Sequence, residues 1–178
     1  MDVLAPYRIP AAILKRDSAS YEWDLDQKFL ALFDEEHEGI NGQFLVKMEL
    51  SREGGVVALV FIVTGSVDTS CDRCLAPIQM PIDSEYEMLI NYGDPEDSTD
   101  EVLFIPHDLQ KLDLGKHIYD FILLSVPISQ RVRDCEQMEN SPCDISVLNY
   151  LKENQIEEMP KGEDKGSLWD DLKNVIDN

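Results

Sequence analysis

The stretch VVALVFIVTGSVDTS (56–70) constrains this chain most, because its first eight residues are all apolar and rich in Val and Ile. Such a run favours an extended strand. With no alternation in its first half, it predicts a central strand buried on both faces. A central strand needs neighbours on both edges. QFLVKMELS (43–51) supplies one, with Phe44, Val46, Met48 and Leu50 on one side by strict alternation, and Gly54-Gly55 supplies the hairpin turn between them. PIQMPIDSEYEMLINY (77–92) supplies the other, with Ile78, Met80, Ile82, Tyr86, Met88, Ile90 and Tyr92 on one side. Cys71-Asp72-Arg73-Cys74 then falls at the turn between two antiparallel strands.

Beyond the third run, DPEDSTDE (94–101) carries five acids in eight positions and reads as an exposed loop. LFIP (103–106) suits a short strand. LDLGKHIYDFILLSVP (112–127) predicts a long helix with Asp113 as N-cap, Leu114, Ile118, Phe121 and Ile122 on one face, and Pro127 as its end. Short helices are expected at about 144–154 and about 167–176, joined by linker-like residues 156–166. In the first 40 residues, RIPAAIL (8–14) could form a strand and LDQKFLALFDEE (25–36) an amphipathic helix. The expectation is a single α+β domain over 1–178. Its β-rich part, 1–105, is an antiparallel sheet, packed with a long helix and short C-terminal helices from 106–178.

Charge limits the partners. The chain has 36 Asp and Glu against 15 Lys and Arg, a net charge of -21, yet 43% of its residues are hydrophobic, enough for a packed core. So acidic a protein is repelled by nucleic acid and anionic lipid, which argues against broad RNA coating. The sequence has no apolar run near the ~18–20 residues of a membrane span, and its N-terminus does not read as a secretory signal. A cytoplasmic location without membrane contact is the expectation, and in a reducing compartment the cysteines are thiols or metal ligands rather than disulfides.

Cys71 and Cys74 at a hairpin turn can direct two sulfurs at one metal ion, as in a zinc knuckle. Cys135 and Cys143 could complete a four-sulfur structural zinc site, although the seven residues between them exceed the usual knuckle spacing. The same four residues also read as reduced thiols buried like small apolar side chains. Thiol-disulfide catalysis fits less well, since it favours a cysteine at a helix N-terminus and this pair follows a strand. No phosphate-binding glycine loop, nucleophile elbow or H-E-x-x-H occurs; His37, His107 and His117 are scattered, with His107 and His117 expected to face solvent. The expected protein is not an enzyme, with a zinc- or thiol-dependent enzyme as the rival reading.

Basic residues are few. Between Val102 and Arg133, Lys111, Lys116, Arg131 and Arg133 outnumber Asp108, Asp113 and Asp120. With Arg73 they could form a local patch for RNA phosphate or a partner, or simply balance neighbouring acids.

The order of motifs resembles the bacterial YceD family, the large ribosomal RNA subunit accumulation proteins. The resemblance rests on C-x-R-C-L (Cys71, Arg73, Cys74, Leu75), an acidic loop, and L-D-L opening a helix (Leu112, Asp113, Leu114). It continues through L-L-S-x-P (Leu123, Leu124, Ser125, Pro127), a cysteine soon after, and W-x-x-L-K (Trp169, Leu172, Lys173), spanning about residues 40–175. Where many members carry a second close C-x-x-C-G, this chain has Cys135 and Cys143, and the usual helix glutamate is Asp120. The resemblance implies a part in synthesis, processing or stability of large-subunit ribosomal RNA, with no enzymatic activity. Together with the charge, it leads to a non-enzymatic assembly factor that holds a basic ribosomal protein or docks on the precursor subunit, with local RNA contact secondary. A general acidic module for basic proteins is the other alternative.

Overall fold

In the computed structural model, residues 2–33, 41–53, 56–99, 101–132 and 142–154 are described. The three apolar runs form the long strands β3 (Asn41–Glu53), β4 (Val56–Ser70) and β5 (Pro77–Tyr92). These pair antiparallel, Leu50 opposite Leu59 and Leu59 opposite Met88, so that their buried side chains share one face. Strand β2 (Ser18–Leu25) extends the sheet beyond β3, and β6 (Val102–Ile105) closes the other edge parallel to β5, giving the order β2-β3-β4-β5-β6. The short strands β1 (Arg8–Pro10) and β7 (Lys111–Asp113) pair separately. The mixed α+β class agrees with the sequence expectation.

One face of the sheet carries the main core. Val46, Met48, Leu59, Phe61 and Val63 are fully buried there, and helix α2 (Gly115–Ser125) packs on β4 and β5 with Ile118, Ile122 and the preceding Leu114 buried in the same core. Each such side chain contributes about 1.5–3 kcal/mol relative to exposure. Phe121 stacks on Tyr86 at 4.8 Å and tilts against Phe61 at 5.0 Å, fixing the helix across β4 and β5. Gly65 has φ 147°, and a Cβ there would stand 2.1 Å from the Gln43 carbonyl oxygen, so the close approach of β3 and β4 at this point requires glycine.

Several expectations change. The central strand is buried on one face only. On the other, Ala58, Val60 and Ile62 are half-buried and belong to neither apolar cluster among the described residues. An unbroken apolar run records that both faces are apolar, and here the described helices cover just one. Asp113 is not the helix cap: Leu112 and Asp113 lie in β7, the cap position is Leu114, and the Asp113 side chain instead accepts from the Gly115 amide and from Arg8. RIPAAIL becomes β1 followed by a 3-10 turn at Ala11–Lys15, because Pro10 removes a strand donor, and the expected helix at 25–36 is observed as α1 (Gln27–Leu30). Trp23, Phe29 and Leu30 bring this N-terminal region into the main core. The turn at 54–55 and the helix at 167–176 lie outside the described residues.

Candidate functional site

The segment after β4 reverses direction within six residues. The Cys71 amide donates to the Ala76 carbonyl at 2.8 Å, and the Leu75 amide donates to the Cys71 carbonyl at 2.9 Å, with Leu75 in the left-handed region at φ 60°. This geometry turns both Cys71 and Cys74 inward, where they are 2% and 1% exposed. The chain leaving α2 then clamps the turn. Asp72 donates its amide to the Gln130 carbonyl, its carboxylate accepts from the Gln130 amide at 2.7 Å, and the Thr69 hydroxyl donates to the Gln130 side chain.

A second element approaches from the C-terminal side. Helix α3 (Ile145–Glu153) starts at Asp144, whose carboxylate accepts from the Ser146 hydroxyl and from the Val147 and Ser146 amides; these bonds hold that carboxyl below its ordinary pKa. Leu148 of α3 is buried against Cys71, Cys74, Ala76 and Ile78 as a small second core. Cys143, just before the cap, lines the same apolar cleft with Val132 and Pro142. The Cys74 thiol is held below its ordinary pKa by the Ala76 and Asp144 amides and, more weakly, by contacts with the Cys71 and Cys143 thiols, while burial opposes the shift.

Three of the four cysteines therefore converge. Cys135 lies outside the described residues. Their soft donor chemistry suits zinc, but no set of three or more metal-ligating side chains among the described residues is arranged to hold an ion. As described, the cluster is a packed group of thiols that joins the β4–β5 turn to α3. Cys71 and Cys74 are buried, and Cys143 is half-buried.

The basic positions do not form one patch among the described residues. Lys111 is in β7 and Lys116 is near the start of α2, ion-paired with Asp120 and 4.8 Å over the Tyr119 ring. Arg73 and Arg131 are exposed, and each directly follows one partner of the Asp72–Gln130 bonds at the cysteine turn. Lys116 lies in the first turn of α2 and Arg131 beyond its far end, and the helix between, 11 residues, is about 16 Å long. Arg133 lies outside the described residues, as does His37. His107 is exposed, as expected, and stacks on Tyr92, but His117 is half-buried, and burial lowers its pKa against the pull of Asp120 and Asp113. Sequence reasoning missed Gln130 and Leu148 as organisers of the turn, since a lone glutamine and one leucine in a short helix carry no distinguishing signal.

No helix among the described residues is long and apolar enough to cross a membrane. Neither the curated proteins nor the solved structures give a match to the chain. Residues 59–175 match the family model of the large ribosomal RNA subunit accumulation protein YceD, a span that takes in most of β4, the cysteine turn, β5, α2 and α3. Because this match covers well over half of its length, the chain belongs to the YceD family of large ribosomal RNA subunit accumulation proteins.

Proposed function

We propose that this protein is a non-enzymatic assembly factor for the large ribosomal subunit. It supports accumulation of the subunit's RNA chiefly by binding a basic ribosomal protein or a protein-rich region of the precursor particle. The family match over residues 59–175 carries this reading. The net charge of -21 supports a basic protein as the main partner, since phosphate would be repelled over most of the surface. Any local RNA contact is assigned to the exposed Arg73 and Arg131 beside the Asp72–Gln130 bonds rather than to a continuous strip with Lys111 and Lys116.

The buried thiols support a structural role for the cysteine cluster over an enzymatic one. Cytoplasmic action follows from the assembly role. Sucrose-gradient sedimentation of depleted cells is the test. Large-subunit particles and their RNA should fall relative to small-subunit particles, and a normal ribosome profile refutes the role. Affinity purification separates this reading from a general acidic module, because only an assembly factor enriches ribosomal proteins over other basic proteins.

A further inference from the structure

We propose that the open face of the five-stranded sheet is the docking surface for a basic, partly apolar segment of the partner protein. This proposal rests on the reading that the main partner is basic, and it assigns that partner a place. Along β4 the exposed row runs Val56, Ala58, Val60 and Ile62, extended by Leu45 on β3 and Leu89 on β5. Val56 is 51% and Leu45 36% exposed, and the remainder are half-buried without joining either core. Eight consecutive apolar residues are the pattern of a strand covered on both sides, so this row is apolar beyond what an exposed face needs.

Acids border the row on both sides. Glu49 and Glu87 lie directly opposite Val60 across the two ladders, Glu85 lies opposite Ile62, and Glu22, Asp24 and Asp83 extend the border. Lys47 is the sole base on this face among the described residues; it is ion-paired with Glu49 at 2.5 Å, and Glu49 and Glu22 raise its pKa. At one end the face opens into a concavity of about 440 Å³ lined by Asp24, Asp26, Leu45, Thr64 and Gly65 among others.

Charge selects the occupant. The chain's remaining segments are themselves acidic: residues 34–40 hold four acids and no Lys or Arg, residues 133–141 three acids and one base, and residues 155–178 seven acids and three bases. A second copy would set one acidic border against another. RNA would meet the same repulsion. A basic polypeptide matches both the apolar row and its border. The region between β2 and β5 measures roughly 15 by 20 Å from strand spacing and rise, about 300 Å² and well below the ~800 Å² per partner of a standard interface between globular proteins. It therefore fits a segment, such as a basic extension or loop.

Site-specific photo-cross-linking with the full-length protein in its own cells tests the assignment. A photoreactive phenylalanine analogue replaces Val60, and a control places it at Leu124, which is 68% exposed on α2. The expected result is cross-linking at Val60, and not at Leu124, to an identified protein rich in Lys and Arg. The yield should fall by about threefold or more when Glu49→Gln, Glu85→Gln and Glu87→Gln are combined, since each lost rim pair is a fraction of a tenfold step. Those positions are exposed, and Glu to Gln preserves shape, so the variant is expected to unfold at the parent's urea midpoint. Cross-links to RNA, to a second copy, within the chain, or to no basic protein overturn the proposal, as does a yield unaffected by the triple variant. Complementation separates this proposal from the assembly role. If depletion lowers large-subunit particles but the triple variant restores them fully, the docking face is wrong and the role stands. If depletion leaves the particles normal, the role is wrong, and the cross-link alone decides the face.

Discussion

Replacing Gly65 with alanine should be among the most destabilising single-methyl changes in the sheet. The backbone there has φ 147°, and the added Cβ would lie 2.1 Å from the Gln43 carbonyl oxygen and 3.0 Å from the Phe44 Cα. Both obstructing atoms are backbone, so no rotamer change relieves the contact; β3 and β4 must separate. Holding a non-glycine residue in that region costs about 1–3 kcal/mol, and forcing apart a packed pair adds about 1–3 kcal/mol. A total of about 2–6 kcal/mol is a large share of the ~5–15 kcal/mol typical of a whole domain. It corresponds to a fall in Tm of roughly 4–24 °C for a chain of this size. Gly93→Ala is the internal control. Its Cβ would come 2.6 Å from the Phe104 ring, but the obstruction is a side chain at the sheet edge and the backbone lies outside the positive-φ region, so a cost near 1 kcal/mol is expected. Urea unfolding followed by circular dichroism measures both. If Gly65→Ala melts within about 2 °C of the parent, or costs less than Gly93→Ala, the argument from close strand approach fails.

Phe121→Ala removes the stack on Tyr86 and the contact with Phe61, and should cost about 2–4 kcal/mol by urea titration; a loss below about 1 kcal/mol would show that α2 is held by its leucine and isoleucines alone. Cys74→Ser puts a hydroxyl into an apolar cleft and should cost about 2 kcal/mol. Chelator treatment of the parent should leave Tm unchanged if the described thiols merely pack, whereas a chelator-dependent fall with one zinc per chain would establish that Cys135 completes a metal centre. Burial lowers the pKa of His117, so the unfolded chain takes up the proton first and stability should decline as pH falls through about 6.5. The comparison is the urea midpoint at about pH 7.5 and about pH 5.5 for the parent and for His117→Gln. An identical pH dependence in the two proteins contradicts the assignment.

β3 and β5 were legible because each alternates, Phe44 to Leu50 in one and Ile78 to Tyr92 in the other, and β4 was legible from its unbroken apolar run. The paired register then follows from the turn lengths and the shared buried face. Helix α2 was legible from Leu114, Ile118 and Ile122, but its start was not. Asp113 satisfies the statistics of an N-cap, while the actual pairing of Ile9 with Leu112 makes it the end of a strand, a long-range contact that no local pattern contains. The same limit applies to the cysteine site. The C-x-x-C turn is local and was visible, whereas its union with Cys143 depends on Gln130 and Leu148, which reach it across 58 or more positions of sequence. The basic residues were close together in composition but not in space, because a helix carries Lys116 away from Arg131.

The two faces of the sheet also bear on how the proposed docking would behave. A strand spacing of ~4.8 Å places Glu49 and Glu87 roughly 10 Å apart on either side of Val60, close to the ~8 Å Debye length at physiological ionic strength. Such acids act jointly on an approaching basic segment at low salt and nearly independently at high salt. Rim charges of this kind raise the association rate more than the affinity, while the apolar row is too small to give slow dissociation by itself. The electrostatic origin is measurable. Raising salt from about 0.05 M to about 0.5 M should slow association of the isolated partner severalfold and change its dissociation rate little. A salt-insensitive association rate would place the binding energy in the apolar row and assign the acids to solubility alone.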